Sequence, residues 1–354
     1  MKIGIPKEIK PLEGRVGLVP EACLELTRAG HRVLLQQGAG LLSGFNDEIY
    51  QTMGVEIVSE AETIYTEADL VIKVKEPYGN EPELLRDGQM LFCFLHLAAD
   101  EGLTQRLLQS GVTGIAFETL SEGGGLPILA PMSDIAGRLA VQYGATLLHR
   151  HQGGRGVLLG GLAGADRGHV VILGGGQAGG HAATLAAAMG ARVTVFDRLR
   201  ERMSAVRQLG DNVTALYPYE ASVSEAVANA DILIGAVLVA GTKAPRVVNR
   251  DQIAQMPAGS VVLDISVDQG GCIETTRPTT YEAPTYQVGE VTHFAVTNMP
   301  GAVPRSASQA LSAALIPYLK RLTLPTWRDD PPLQAAINLT GGELVYPALR
   351  EQYL

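Results

Sequence analysis

Residues His169 to Asp197, HVVILGGGQAGGHAATLAAAMGARVTVFD, constrain the fold more than any other stretch of this chain. His169 to Leu173 is a short β-rich run, and Gly174, Gly176 and Gly179 form GxGxxG. Ala182 to Met189 is rich in helix formers, and Arg192 to Phe196 reads as the next strand, closed by Asp197. A lone GxGxxG arises often by chance in a chain with 41 glycines. Here a strand precedes it, a helix succeeds it, and an acid stands about 20 residues on. Gly174 permits a tight turn, Gly176 lets backbone approach a pyrophosphate, Gly179 lets the helix pack on the sheet, and the helix N-terminus offers unpaired N–H groups to phosphates. The stretch therefore reads as a dinucleotide-binding βαβ unit, the start of an α/β Rossmann domain. The alternative is a doubly wound domain whose glycine turn holds no nucleotide. Asp197 is placed to accept from the adenosine ribose hydroxyls and to repel a 2′-phosphate, which favours NAD; Arg198 beside it keeps NADP open.

The 354 residues suffice for two domains with sizeable cores. A net charge of −9, with no cluster of Lys and Arg, argues against a nucleic-acid partner. Cys23, Cys93 and Cys272 are odd in number and widely spaced, as expected of buried thiols in a reducing compartment, and resemble neither a disulfide framework nor a zinc site. No metal is expected. MKIGIPKEI at the start reads as a strand, and no run of about 18 apolar residues occurs, so a cytoplasmic protein without a membrane association is expected.

Before the glycine turn the chain alternates strand and helix. Strands are expected at Lys2–Pro6, His31–Gln36, Leu70–Val74, Met90–Phe94 and Thr113–Ala116, with helices at Glu21–Ala29, Asp47–Met53, Ser59–Glu67 and Gly102–Gln109, and a helix start at Pro82–Leu85. Pro131 to His149 reads as a long helix with Ser133 or Asp134 near its start. The glycine-rich His151–Gly164 lacks the Gly-Lys-Ser/Thr of a P-loop and reads as a loop. Past Asp197, strands at Val213–Leu216, Ile232–Ala236, Val261–Ile265, Tyr286–Val288 and Thr292–Ala295 continue the Rossmann sheet. The tail after the Ser306–Leu319 helix is too short to fold alone. The expected organisation is a Rossmann NAD-binding domain, 133–301, inserted in a discontinuous α/β substrate domain made of 1–132 and 302–354.

Four charged residues fall where a strand or loop ends, the position at which α/β sheets bind ligands. Lys75 comes after LVIKV and could grip a substrate carboxylate or be a solvated lysine; Arg15, in a loop, carries the same two readings. His96 comes after the apolar MLFCFL and is either a proton shuttle or a satisfied core histidine. Asp268, in SVDQGG, is a candidate acid or base, or a turn former.

Together with their surroundings these residues resemble the alanine dehydrogenase/transhydrogenase α-subunit family. The similar stretches are IGIPKEIKPLEGRVGLVP, DLVIKVKEP, LFCFLHLA, APMSDIAGRLA, GGRGVLLGG, LGGGQAGG, GAVLVAGTKAP, LDISVDQGGCIETTRPTT and VTNMPGAVPRSAS, spread over nearly the full chain. The resemblance implies NAD-dependent interconversion of L-alanine with pyruvate and ammonium. It places Arg15 and Lys75 on the substrate carboxylate, His96 on the keto oxygen as proton shuttle, and Asp268 as the acid that activates water. It places Ser133, Val237, Leu238 and Asn298, with Asp197 and the three glycines, at the cofactor, and implies a homohexamer. The family pattern has small apolar residues at 177–178 and Thr-Asn at 180–181, where this chain has Gln177, Ala178, Gly180 and His181; Tyr217–Tyr219 replaces a serine-bearing segment near the adenine. Two other readings stand beside this one: another amino-acid or imino-acid reductase on the same scaffold, and a non-catalytic transhydrogenase-like nucleotide-binding subunit.

Overall fold

A computed structural model describes residues 1–237 and 244–353. The chain divides into two compact units, 1–132 with 301–354, and 133–300.

In chain order the first unit begins β1 (Lys2–Ile5), α1 (Pro20–Arg28), β2 (Arg32–Gln36), α2 (Asp47–Thr52), β3 (Glu56–Val58), α3 (Ala61–Glu67), β4 (Leu70–Ile72), α4 (Glu81–Leu84), β5 (Met90–Cys93), α5 (Glu101–Ser110) and β6 (Thr113–Ala116). Next come α6 (Ala130–Leu147), β7 (His169–Leu173), α7 (Gln177–Ala188), β8 (Arg192–Phe196), α8 (Arg200–Arg207), β9 (Val213–Leu216), α9 (Glu220–Ala228), β10 (Ile232–Gly235), α10 (Arg250–Ala254), β11 (Val261–Asp264), β12 (Thr285–Val288) and β13 (Val291–Phe294). The chain closes with α11 (Pro304–Leu322), α12 (Pro331–Ala335), β14 (Ile337–Thr340), β15 (Glu343–Leu344) and α13 (Pro347–Tyr353).

In the first unit the sheet order is β15-β14-β6-β5-β4-β1-β2-β3, parallel from β6 to β3, with β14 antiparallel to β6 and β15 antiparallel to β14. In the second it is β12-β13-β11-β10-β7-β8-β9, parallel except for the edge strand β12. The parallel part of each sheet therefore runs 3-2-1-4-5-6, so each has a switch point beside its first strand where the order reverses and a crevice opens at the carboxyl ends. Between β1 and β4 lies the switch point of the first unit, and between β7 and β10 that of the second. Central strands such as β5, β7, β10 and β11 are buried at every residue, as sheets covered on both faces require. Edge strand β12 alternates exposed and half-buried residues.

Helix α7 starts at Gln177, five residues before Ala182, where helix propensity alone places it. Gly179 and Gly180 are poor helix formers, but tertiary packing overrides them: a Cβ on Gly179 would lie 1.8 Å from the Gly174 carbonyl oxygen, so only glycine lets the helix sit this close to the turn. The short strand β3 and the last helix, α13, carry too little periodicity to be read from the sequence.

His293 on β13 is fully buried, with Nε2 2.8 Å from Thr275 Oγ1 and Nδ1 3.2 Å from the Val291 carbonyl. Burial pushes its pKa down from 6.5 to about 4. Because the folded value is depressed, the stability this ring contributes is present above pH 6.5 and is lost as pH falls through about 4. The expected result is a loss on the order of 3 kcal/mol on acidification through that window, absent in His293→Gln. Chemical denaturation of both proteins at neutral pH and near pH 4 measures it.

Candidate active site

The loop after β1 and the ends of β4 and β5 carry the candidate chemistry of the first unit. Arg15 is 2 % exposed, and its guanidinium is gripped by Glu13, Nε to Oε1 at 2.7 Å and Nη2 to Oε2 at 2.5 Å. Nη1 lies 3.2 Å from the Met132 sulfur. Such a bidentate pair fixes the planar guanidinium as well as partly neutralising it. The backbone around Arg15 is held by two serines one turn apart on α11: Ser308 Oγ accepts from the Val16 N–H and Ser312 Oγ from the Val19 N–H, each at 3.0 Å. Ser43 Oγ adds a bond to the Gly14 carbonyl at 2.8 Å.

Beneath this loop a charged network crosses the switch point. Lys73, just past β4, has 0 % exposure; its Nζ donates to Glu81 Oε1 at 2.8 Å and Glu8 Oε2 at 3.2 Å. Burial alone would lower the pKa of this ammonium, and the two carboxylates more than reverse that, raising it. Tyr65 also donates to Glu81 at 2.8 Å, and Glu8 Oε1 accepts the Val74 N–H at 2.6 Å. The strand end leading to half-buried Lys75 is thereby tied to the loop after β1. Glu76 is the next residue. Burial pushes its carboxyl up, but contact with Lys10 and the positive fields of His96 and Lys75 bring it below its ordinary range, so Glu76 is a carboxylate beside both candidate residues. Among the described residues its Oε2 is the buried side-chain atom without a hydrogen-bond partner.

His96 stands exposed at the end of β5 in a left-handed conformation, φ 49°, which non-glycine residues adopt at a cost of about 1–3 kcal/mol. Glu118, beyond β6, offsets that cost: its Oε1 accepts the His96 N–H at 2.7 Å, and both oxygens lie 3.2 Å from the Leu95 N–H. The imidazole stacks on Phe94, centroids 5.8 Å apart and planes within 9°. The sheet thus presents Arg15, Lys75 and His96 from one edge of its parallel strands.

In the second unit Gly174 (φ 94°) turns the chain after β7 so tightly that a Cβ there would meet the Ala236 carbonyl oxygen at 2.6 Å, next to Val237. Gly174 and half-buried Val237 therefore share the β7/β10 switch point; Leu238 lies outside the described residues. Gly176 caps α7 with no side chain, no acid stands in the first turn, and a Cβ on Gly176 would meet nothing nearer than Arg202 at 3.5 Å. An uncapped helix N-terminus with an open face fits a diphosphate. Asp197, at the end of β8, is 6 % exposed; Oδ2 accepts the Gly175 N–H at 2.7 Å and Oδ1 the Leu199 N–H at 2.8 Å, with Arg202 Nη1 at 3.7 Å. It braces the glycine turn from the end of the neighbouring strand. Ser133 is half-buried on α6. Asp268 is exposed on the single 3₁₀ turn Ile265–Gln269 after β11, and its Oδ2 lies 3.4 Å from the N–H of Asn298, itself left-handed at φ 57°. The structure brings these two sequence candidates together. Among the described residues no group of three or more His, Cys, Asp and Glu is placed to hold a metal, and no helix is long and apolar enough to cross a membrane.

Two family descriptions match the chain: "Alanine dehydrogenase/PNT, N-terminal domain" over residues 4–136 and "Alanine dehydrogenase/PNT, C-terminal domain" over residues 140–347. This chain belongs to the alanine dehydrogenase/PNT family. Alanine dehydrogenase of Bacillus subtilis is 44% identical over 99% of this chain and 94% of its own length, and that of Mycolicibacterium smegmatis 45% identical over 99% and 96%. A solved L-alanine dehydrogenase superposes with a TM-score of 0.96 at 47% identity, covering 100% of this chain and 99% of that one. A transhydrogenase from Sinorhizobium meliloti superposes at 0.86 with 27% identity over 98% and 100%. The two-domain α/β architecture is that of the alanine dehydrogenase/PNT family.

Glu8, Glu13, Lys73, Glu76, Glu118, Ser308 and Ser312 escaped the reading of the sequence. Lys73 did carry a signal, a lysine inside the apolar run DLVIKV, since a charge within a buried strand must be paired.

Proposed function

We propose that this chain is an NAD-dependent L-alanine dehydrogenase, reversibly converting L-alanine, water and NAD⁺ to pyruvate, ammonium, NADH and a proton. The observation that carries this reading is the end-to-end similarity, at 44–47% identity, of both units to alanine dehydrogenases. When bound, the nicotinamide supplies the acceptor for the hydride from the α-carbon. The chain's own residues do the rest. Arg15 and Lys75 hold the substrate carboxylate, Arg15 with a guanidinium already oriented by Glu13. His96 hydrogen-bonds the substrate oxygen and moves a proton, and Asp268 takes a proton from the water that adds to the imine carbon; collapse of the carbinolamine then releases ammonium. Gly174, Gly176 and Gly179 with the first turn of α7 receive the diphosphate, Asp197 the ribose, and Ser133, Val237 and Asn298 the remainder of the cofactor. The same reading places the enzyme in the cytoplasm as a homohexamer, which light scattering of the purified protein checks.

Spectrophotometric NADH formation at alkaline pH across small amino acids tests the proposal. L-Alanine should lead, and NAD should be preferred to NADP. NAD binding without turnover of L-alanine, or of pyruvate with ammonium, sinks it, and faster reduction of larger 2-oxo acids assigns the scaffold to another amino acid. Asp197→Ala should weaken NADH binding about tenfold, the scale of losing one charge-assisted hydrogen bond. Unchanged affinity together with lower stability would make Asp197 a brace of the turn only.

A further inference from the structure

The segment between β11 and β12 carries Asp268, and one buried residue holds both ends of the loop in which it stands. Asp264, the last residue of β11, is 1% exposed. Its Oδ1 accepts the Ser266 N–H at 3.0 Å, at the start of the 3₁₀ turn. Its Oδ2 accepts the Cys272 and Ile273 N–H groups at 2.9 and 3.2 Å and the Thr276 hydroxyl at 2.7 Å. Residues 266 and 272 are thus drawn to the two edges of one carboxyl group. The backbone closes the same neck, the Gly271 N–H donating to the Ser266 carbonyl at 3.0 Å.

Two glycines make the seat for this carboxyl group. A Cβ on Gly235, the register partner of Asp264 on β10, would lie 2.9 Å from Oδ1, and one on Gly271 (φ 75°) would lie 2.8 Å from Oδ2. The Ser266 hydroxyl adds a bond to the Val237 carbonyl just past β10, at 2.8 Å. Asp268 itself is exposed, and its contact with the Asn298 N–H, at 3.4 Å, is long for a hydrogen bond. Where its carboxylate stands therefore depends on the loop that carries it.

We propose that Asp264 is a positioning residue for Asp268: by gathering both ends of the loop it fixes the place of the Asp268 carboxylate. The inference rests on the dehydrogenase reading above, in which Asp268 takes a proton from the water that adds to the imine carbon. A general base works only within hydrogen-bond reach of that proton, so a shift on the order of 1 Å costs up to about 10²-fold in rate. Asp264 is closed off beneath the loop and acts through it. Its loss should therefore appear in kcat while binding is kept.

Asp264→Asn is the test, because an amide oxygen accepts along one edge only: in either orientation its NH₂ group faces the N–H of Ser266 or those of Cys272 and Ile273. The kcat for L-alanine oxidation should fall about tenfold to a hundredfold, with KM for L-alanine and the affinity for ADP-ribose each within about twofold of the parent. In an Asp268→Asn background, followed at high enzyme concentration, the same change should cost less than about twofold, since the group being positioned is gone. A purely structural role would multiply the two losses instead. Where Asp264→Asn fails to fold, Thr276→Val, which removes a single donor to Oδ2, should lower kcat about threefold to tenfold at unchanged KM. Near-normal kcat in the variant that folds, or losses that multiply, overturns the proposal. No turnover of L-alanine, or of pyruvate with ammonium, by the parent protein overturns the dehydrogenase reading and this inference with it, and is distinct from an active parent whose Asp264→Asn variant keeps its rate, which overturns only the role of Asp264.

Discussion

His96→Ala is expected to lower kcat by about 10²–10⁴, the range for loss of a positioned general acid–base group, while leaving the NADH dissociation constant unchanged. The structure separates two ways this could happen. His96 is held left-handed by Glu118, so a substitution can act by relaxing the loop as well as by removing the imidazole. His96→Asn distinguishes them, because asparagine tolerates the left-handed region while carrying no titratable ring. If the chemistry lies in the ring, Asn should be nearly as inactive as Ala; if it lies in the backbone, Asn should recover most of the turnover. Near-normal kcat in His96→Ala removes the residue from the mechanism.

Lys73→Met is expected to destabilise the protein by about 3–5 kcal/mol, the scale of removing one partner from a buried ion pair. Met fills a similar volume, so lost packing contributes little. The loss arises because Glu8 and Glu81 remain buried at 7% and 3% exposure without the ammonium between them. Urea denaturation monitored by circular dichroism measures it, and Lys73→Met with Glu8→Gln should recover part of the loss by removing one uncompensated charge. A change under about 1 kcal/mol would mean that the network is not closed to water, as a surface pair would behave. Any variant that still folds should show a raised KM for L-alanine, since Glu8 also accepts the Val74 N–H beside Lys75.

Apolar runs such as MLFC and VVLD declared their strands because parallel sheets bury both faces, and the βαβ unit was legible from a glycine pattern with its flanking strand, helix and acid. Arg15, Lys75, His96 and Asp268 were legible as charges just past strands or lying in loops. Their supporting carboxylates were not. Glu118 is 22 residues from His96 in sequence and reaches it because β5 and β6 run in parallel and end together. Ser308 and Ser312 stand almost three hundred residues from the loop they hold. Spacing along a chain carries no record of such encounters, which depend on strand order. The start of α7 was misplaced for the opposite reason: a local preference against glycine lost to the fit of helix on turn.

Both sheets share one strand order, and they differ in the segment that leaves the first strand. After β7 come glycines, which leave the mouth of the crevice lined by bare backbone. After β1 comes PKEIKPLEGR, whose Glu8 and Glu13 fold inward to meet Lys73 and Arg15. The same topological position is lined by backbone in one case and packed with paired charges in the other. One strand order thus serves two openings of different chemistry, and the difference lies in the segment that leaves the first strand rather than in either core.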